Sequence, residues 1–153
     1  MKPTPPGWPR ISPALFYTDP RRAIDWLCQA FGFEVRILVD GPDGSVMHSE
    51  LTYGDGVIMV SGASAEAPGP DSHWRQRLTS PASIGGRVTQ ALAVYVDDVQ
   101  AHHDRAAAHG AEICDPLTTQ DYGPEYWSDR GYGAYDCEGH RWWFMQRLRT
   151  GSA

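Results

Sequence analysis

Apolar positions alternate with polar ones in some stretches and recur at helical spacing in others, and the order of these stretches repeats. Ile11 to Tyr17 reads as a first strand. Asp19 is a good N-cap and Pro20 sits where a helix opens. Ala23, Trp26, Leu27 and Ala30 then form an apolar stripe at helical spacing, and Gly32 supplies the stop. Phe33 to Val39, Ser45 to Tyr53 and Val57 to Ser61 read as three strands, separated by the turns Gly41-Pro42-Asp43-Gly44 and Gly54-Asp55-Gly56. From Arg87 the pattern begins again. A strand runs to Val96, Asp97 or Asp98 caps a helix running to about His109, and Gly110 lies beyond it. Ile113 lies in a short strand, residues 116–128 read as a polar, aromatic loop, and Arg130 to Cys137 and Arg141 to Leu148 are the last strands.

The second run matches the first residue for residue in places. Tyr17, Asp19, Gly32 and Glu34 recur as Tyr95, Asp97, Gly110 and Glu112, at one offset of 78 residues. A single long period covering half the chain implies duplication rather than a solenoid of short repeats. The expected fold class is α+β: two tandem βαβββ modules, helices on one face, the other face of a curled mixed sheet enclosing a cleft. One domain spans 1–153, with modules at 11–63 and 87–147 and a linker at 64–86. Residues 62–86 are rich in Pro, Ser, Ala and Gly, and His73 and Trp74 there are candidates for a flap. Clefts of this kind are where small molecules usually bind.

Composition narrows the function. The 153 residues carry a net charge of -6, which disfavours nucleic acid and an anionic membrane surface as partners. No apolar run approaches the roughly 20 residues that span a bilayer, and MKPTPPGWPR has no signal-peptide core. The expected location is cytoplasmic. Cys28, Cys114 and Cys137 are odd in number and widely spaced, which suits reduced structural thiols rather than a disulfide framework or metal site. Aromatics crowd the C-terminal part: Tyr122, Tyr126, Trp127, Tyr132, Tyr135, Trp142, Trp143 and Phe144 suit an aromatic-rich core, an aromatic-lined pocket, or both.

YTDPRRAIDWLCQAFGFEV, HSELTYGDGVIMV and YDCEGHRWWF, in that order and spacing, resemble the vicinal oxygen chelate superfamily of glyoxalases, extradiol dioxygenases, fosfomycin-resistance enzymes and bleomycin-resistance proteins. The resemblance covers roughly residues 11–147. It implies that metal-dependent members hold one divalent ion in the cleft with four ligands, mostly His, Glu and Gln. Carried onto this chain, those positions fall at Ser12, Gln90, near Met59 and at Trp143. Ser, Met and Trp are poor ligands for such ions, and Cys137 replaces a proline of the closing turn. The resemblance is nearest to the metal-free bleomycin-resistance-like branch, which implies sequestration of a small molecule without a metal or other cofactor, and a homodimer.

Alternation along the third strand places His48, Glu50 and Thr52 on the cleft face, and Met47, Leu51 and Tyr53 toward the helices. Trp143 on the cleft face would bring Arg141 and Met145 with it. The expected ligand-binding residues are His48, Glu50, Gln90, Tyr126, Trp127, Arg130 and Trp143, the aromatics stacking and the others orienting. No metal ligand set is expected. Glu50 is a weak candidate general base, if desolvation disfavours its charged form. The alternative is a glyoxalase- or dioxygenase-like lyase or isomerase whose metal has moved to His48, Glu50 and Gln90, with His140 as a further candidate ligand. A third reading is an interaction module with a collapsed cleft. His102 and His103 read as surface or boundary residues, His109 as a partner of the helix dipole, and His140 as a turn residue.

Overall fold

The computed structural model describes residues 1–63 and 75–152, so the His73 and Trp74 flap candidates lie outside the described residues. The chain divides into two compact units, Met1–Arg87 and Val88–Ala153. Each has the order β-α-β-β-β and forms its own four-stranded mixed sheet, so the sheet is two open sheets rather than one.

The first unit contains β1 (Ala14–Tyr17), α1 (Pro20–Phe31), β2 (Glu34–Asp40), β3 (Val46–Tyr53) and β4 (Gly56–Gly62), in the sheet order β1-β4-β3-β2. β1 is parallel to β4, and the other pairs are antiparallel. α1 starts where Asp19 accepts a hydrogen bond from the Arg22 amide at 3.0 Å, with Pro20 at the first helical position. It stops at Gly32, whose φ of 78° is a left-handed conformation that costs glycine little. Its buried stripe of Ala23, Ile24, Leu27, Ala30 and Phe31 packs on Leu15, Tyr17, Leu51 and Val60, all fully buried. Two short 3-10 turns, Arg75–Arg77 and Pro81–Ile84, lie in the stretch read as a linker.

The second unit contains β5 (Ala91–Tyr95), α2 (Val99–Ala108), β6 (Glu112–Asp121), β7 (Ser128–Tyr135) and β8 (Arg141–Arg149), in the order β5-β8-β7-β6. Its core is aromatic. Trp142, Phe144 and Tyr132 are buried, the Trp142 and Phe144 rings lie 7° from parallel, and Trp142 Nε1 donates to Asp136 at 3.0 Å.

Two expectations change and one alternative is resolved. The loop read at 116–128 is largely strand, because β6 runs to Asp121 and only residues 122–127 connect it to β7. β6 is a sheet edge with register shifts on both sides of Asp115, which is where a proline such as Pro116 is tolerated. Of the two caps expected for α2, Asp98 is the one used, accepting from the Ala101 amide at 3.0 Å. His102 is buried rather than superficial. It shares a 2.7 Å hydrogen bond with the Tyr132 hydroxyl and lies 4.2 Å from Phe144, ring centre to ring centre.

The cap also corrects the repeat. Leu15, Tyr17 and Asp19 correspond structurally to Val94, Val96 and Asp98, an offset of 79; α2 is shorter than α1, which restores 78 at Gly32 and Gly110. Among the described residues no helix is long and apolar enough to cross a membrane.

Candidate functional site

In the first unit, alternation leaves one sheet face to the α1 core and turns the other away from it. β1 pairs Ala14 with Met59, and the β3–β4 register Leu51 to Ile58 puts Glu50 beside Met59 on the face away from α1. His48 and Thr52 share that face. Glu50 is 3% exposed, and its Oε1 lies 2.9 Å from His48 Nε2. Its other oxygen, Oε2, has no hydrogen-bond partner, although Arg36 Nε stands 3.4 Å away within ion-pair range. Arg36 enters through a bulge in β2, between the paired residues Val35 and Ile37. Its guanidinium is held elsewhere as well: Nη1 donates to the Gly7 carbonyl at 2.5 Å, and the Trp8 ring centre lies 5.2 Å from Cζ. The Ser12 hydroxyl is a second buried polar atom without a hydrogen-bond partner. Neither Arg36 nor the orphaned Ser12 hydroxyl was readable as a site feature, because a bulge and an unpaired hydroxyl leave no periodic signal.

In the second unit the corresponding face carries aromatics. β8 aligns Trp143 with Ala93 on β5 and Gly133 on β7, and Trp142 with Leu92 and Ala134. Trp142 is therefore the core residue. Trp143, 43% exposed, stands on the opposite face between residues with little or no side chain. Arg141 lies over it, Cζ 4.4 Å from the ring centre, and pairs with Asp115. A Cβ at Gly133 would collide with that ion pair, so glycine keeps the platform's flank low. Further along the face, Asp129 pairs with Arg147, whose guanidinium lies over both Tyr95 and Trp127. Trp127 also packs near Tyr122 and Tyr126, ring centres 5.4 and 6.2 Å away, and all three stay substantially exposed. The Tyr95–Asp129–Arg147 cluster was missed, since no motif links residues on three strands.

The remaining candidates fall elsewhere. Arg130 pairs across the sheet with Gln146, and its guanidinium donates to Gln100 of α2 at 2.7 Å. It belongs to the helix side, away from Trp143, because neighbouring strand residues point to opposite faces. Gln90 is exposed and precedes β5. With the offset of 79, the residue matching Ser12 is Ala91, not Gln90. Met59 beside Ala14 matches Trp143 beside Ala93. The positions expected to hold an ion thus carry Ser12, Met59, Ala91 and Trp143, a hydroxyl, a thioether, a methyl and an indole, which do not fit a hard or borderline divalent ion. Among the described residues no group of three His, Cys, Asp or Glu side chains could hold a metal. His140 serves its turn, donating its amide to Asp136 at 3.0 Å. Burial pushes the Cys28 and Cys114 thiols up from their ordinary range, and for Cys28 the charges of Asp25 and Glu34 add to it. Raised thiols are poor nucleophiles at neutral pH.

A family model described as the Glyoxalase/Bleomycin resistance protein/Dioxygenase superfamily matches residues 11–144. An uncharacterised protein of Mycobacterium bovis is 30% identical over 141 residues, 92% of this chain and 85% of its own length. Among solved structures, TioX from Micromonospora sp. ML1 is 34% identical, with a TM-score of 0.63 over 90% of this chain and 95% of that one. The fosfomycin resistance protein FosX from Listeria monocytogenes shares the fold at 15% identity, with a TM-score of 0.56 over 89% of this chain and 90% of its own. Duplicated βαβββ units, the sequence match and these structural neighbours agree, and the chain belongs to the glyoxalase/bleomycin resistance protein/dioxygenase superfamily.

Proposed function

We propose that this protein binds a planar or aromatic small molecule and sequesters it unchanged, without a metal, in the manner of the bleomycin-resistance branch. The observation that carries this reading is Trp143. An indole 43% exposed on a strand face, with Ala93 and Gly133 beside it and the Arg141 guanidinium over its ring, is an aromatic surface that a flat ligand can cover by displacing that guanidinium. Trp127 and Tyr126 extend the aromatic surface of the same unit. A role in resistance to a planar antibiotic, in the cytoplasm, follows from this chemistry as part of the same proposal.

A homodimer belongs to the proposal too. The edge strand β2 is exposed along its whole length and carries Val35, Ile37, Leu38 and Val39, an apolar edge that supports pairing with a second copy. Light scattering on the purified protein should give twice the chain mass. The function is tested by tryptophan fluorescence with acridine dyes. Saturable quenching, with the dye recovered chemically intact, is expected; no quenching by any dye, or turnover of the bound molecule, contradicts the reading.

A further inference from the structure

We propose that Arg141 is a tethered occupant of the Trp143 surface, and that the ligand which displaces it is a flat cation carrying N–H groups; this rests on the planar-ligand reading above and names the ligand class. The Arg141 side chain is 12% exposed. Its Cζ lies 4.4 Å from the Trp143 ring centre and 5.6 Å from that of Tyr135. At its edge, Nη1 donates to the Trp142 carbonyl and Nη2 to Asp115. Gly133 leaves room for this arrangement, because a Cβ there would collide with both members of the ion pair. A planar cation is thus already laid on the indole and held by acceptors. When Arg141 swings out, it leaves two aromatic faces, a carboxylate and a carbonyl. Glu112 pairs with Tyr135 across the sheet and adds a second carboxylate to the same face. Each of these groups attracts a cation or accepts from an N–H. A protonated ring with an exocyclic N–H therefore replaces every interaction that the guanidinium gives up. A neutral ring replaces the stacking alone and leaves Asp115 without its partner. Asp115 is 46% exposed, so water re-solvates it and the resulting selectivity is moderate rather than absolute.

The test compares three dyes of one ring system by isothermal titration: 9-aminoacridine, 9-methylacridine and acridine-9-carboxylate. Mildly alkaline buffer keeps the first protonated and the second neutral. The wild-type protein should bind 9-aminoacridine about fivefold or more tightly than the methyl compound, and the carboxylate most weakly. Arg141→Met removes the competing guanidinium and should tighten 9-aminoacridine binding by about fivefold or more. Asp115→Asn should bring the amino-to-methyl ratio down to about twofold. Circular dichroism confirms the fold of each variant, and the wild-type ranking stands as a test without them. Equal binding of the amino and methyl dyes, or a preference that survives Asp115→Asn, overturns the inference and leaves planar binding intact. So does 9-aminoacridine binding that is unchanged or weaker in Arg141→Met. Tightest binding of the carboxylate overturns it too, since Arg141 would then be a partner of the ligand rather than its competitor. Failure of all three dyes to bind the wild-type protein overturns both readings.

Discussion

At the residue scale, adjacent tryptophans in one strand do opposite work. Trp142 is fully buried under α2, its Nε1 bonded to Asp136, whereas Trp143 faces away from that core. Trp143→Ala should weaken binding of a stacked acridine by about tenfold or more, as loss of ring stacking worth roughly 1–3 kcal/mol would do. Its unfolding free energy should change by less than about 1 kcal/mol, because little of the core is lost. Titration and urea unfolding of the same preparation separate the two effects. The thiols give a pH prediction. Cys28 is raised in the folded chain, so the folded state favours the protonated thiol. The stability this adds is present below the ordinary thiol range and is lost as pH rises through it. Alkylation of Cys28 by iodoacetamide should accordingly lag behind a free cysteine at pH 7.5 and catch up only under more alkaline conditions; parity at pH 7.5 would contradict the shift.

At the element scale, strands with clean alternation and a helix with a strong stop were legible: α1 was readable from Asp19, Pro20 and Gly32, and the inward and outward faces of β3 from its period of two. β6 was not, because Pro116 and the polar Thr118, Thr119 and Gln120 look like loop unless the sheet edge they occupy is known. The helix α2 was legible, but its buried face was not. Val99, His102 and Ala106 form its stripe, and a histidine in the middle of it reads as polar until Tyr132 is seen to receive it. The cap of α2 decided the repeat offset and with it the identity of one expected metal position, Ala91 in place of Gln90. Removing that cap tests the alignment directly. Asp98→Ala should cost about 1 kcal/mol, whereas Asp97→Ala should stay within about 0.5 kcal/mol, both read from chemical denaturation. The reverse ranking would restore the offset of 78.

At the scale of the whole molecule, the duplicated architecture and the family were readable from order and spacing, because duplication leaves its mark on caps, stops and strand lengths alike. The chemistry was open to sequence reasoning only as an expectation, from the residues that stand where the family resemblance places ligands. Three-dimensional structure adds what sequence spacing could not carry: a buried carboxylate facing an arginine without a hydrogen bond to it in the first unit, and an indole platform bounded by Ala93 and Gly133 in the second. The account's central claim is that the Trp143 platform binds a flat molecule without help from an ion. The most direct measurement is a calorimetric titration with 9-aminoacridine in EDTA, repeated with added zinc, nickel or manganese, followed by mass spectrometry of the dye. One dye per chain, with the same affinity in every buffer and an unaltered mass, is the predicted result. Binding that appears only with a divalent ion, or a dye returned chemically changed, would contradict it.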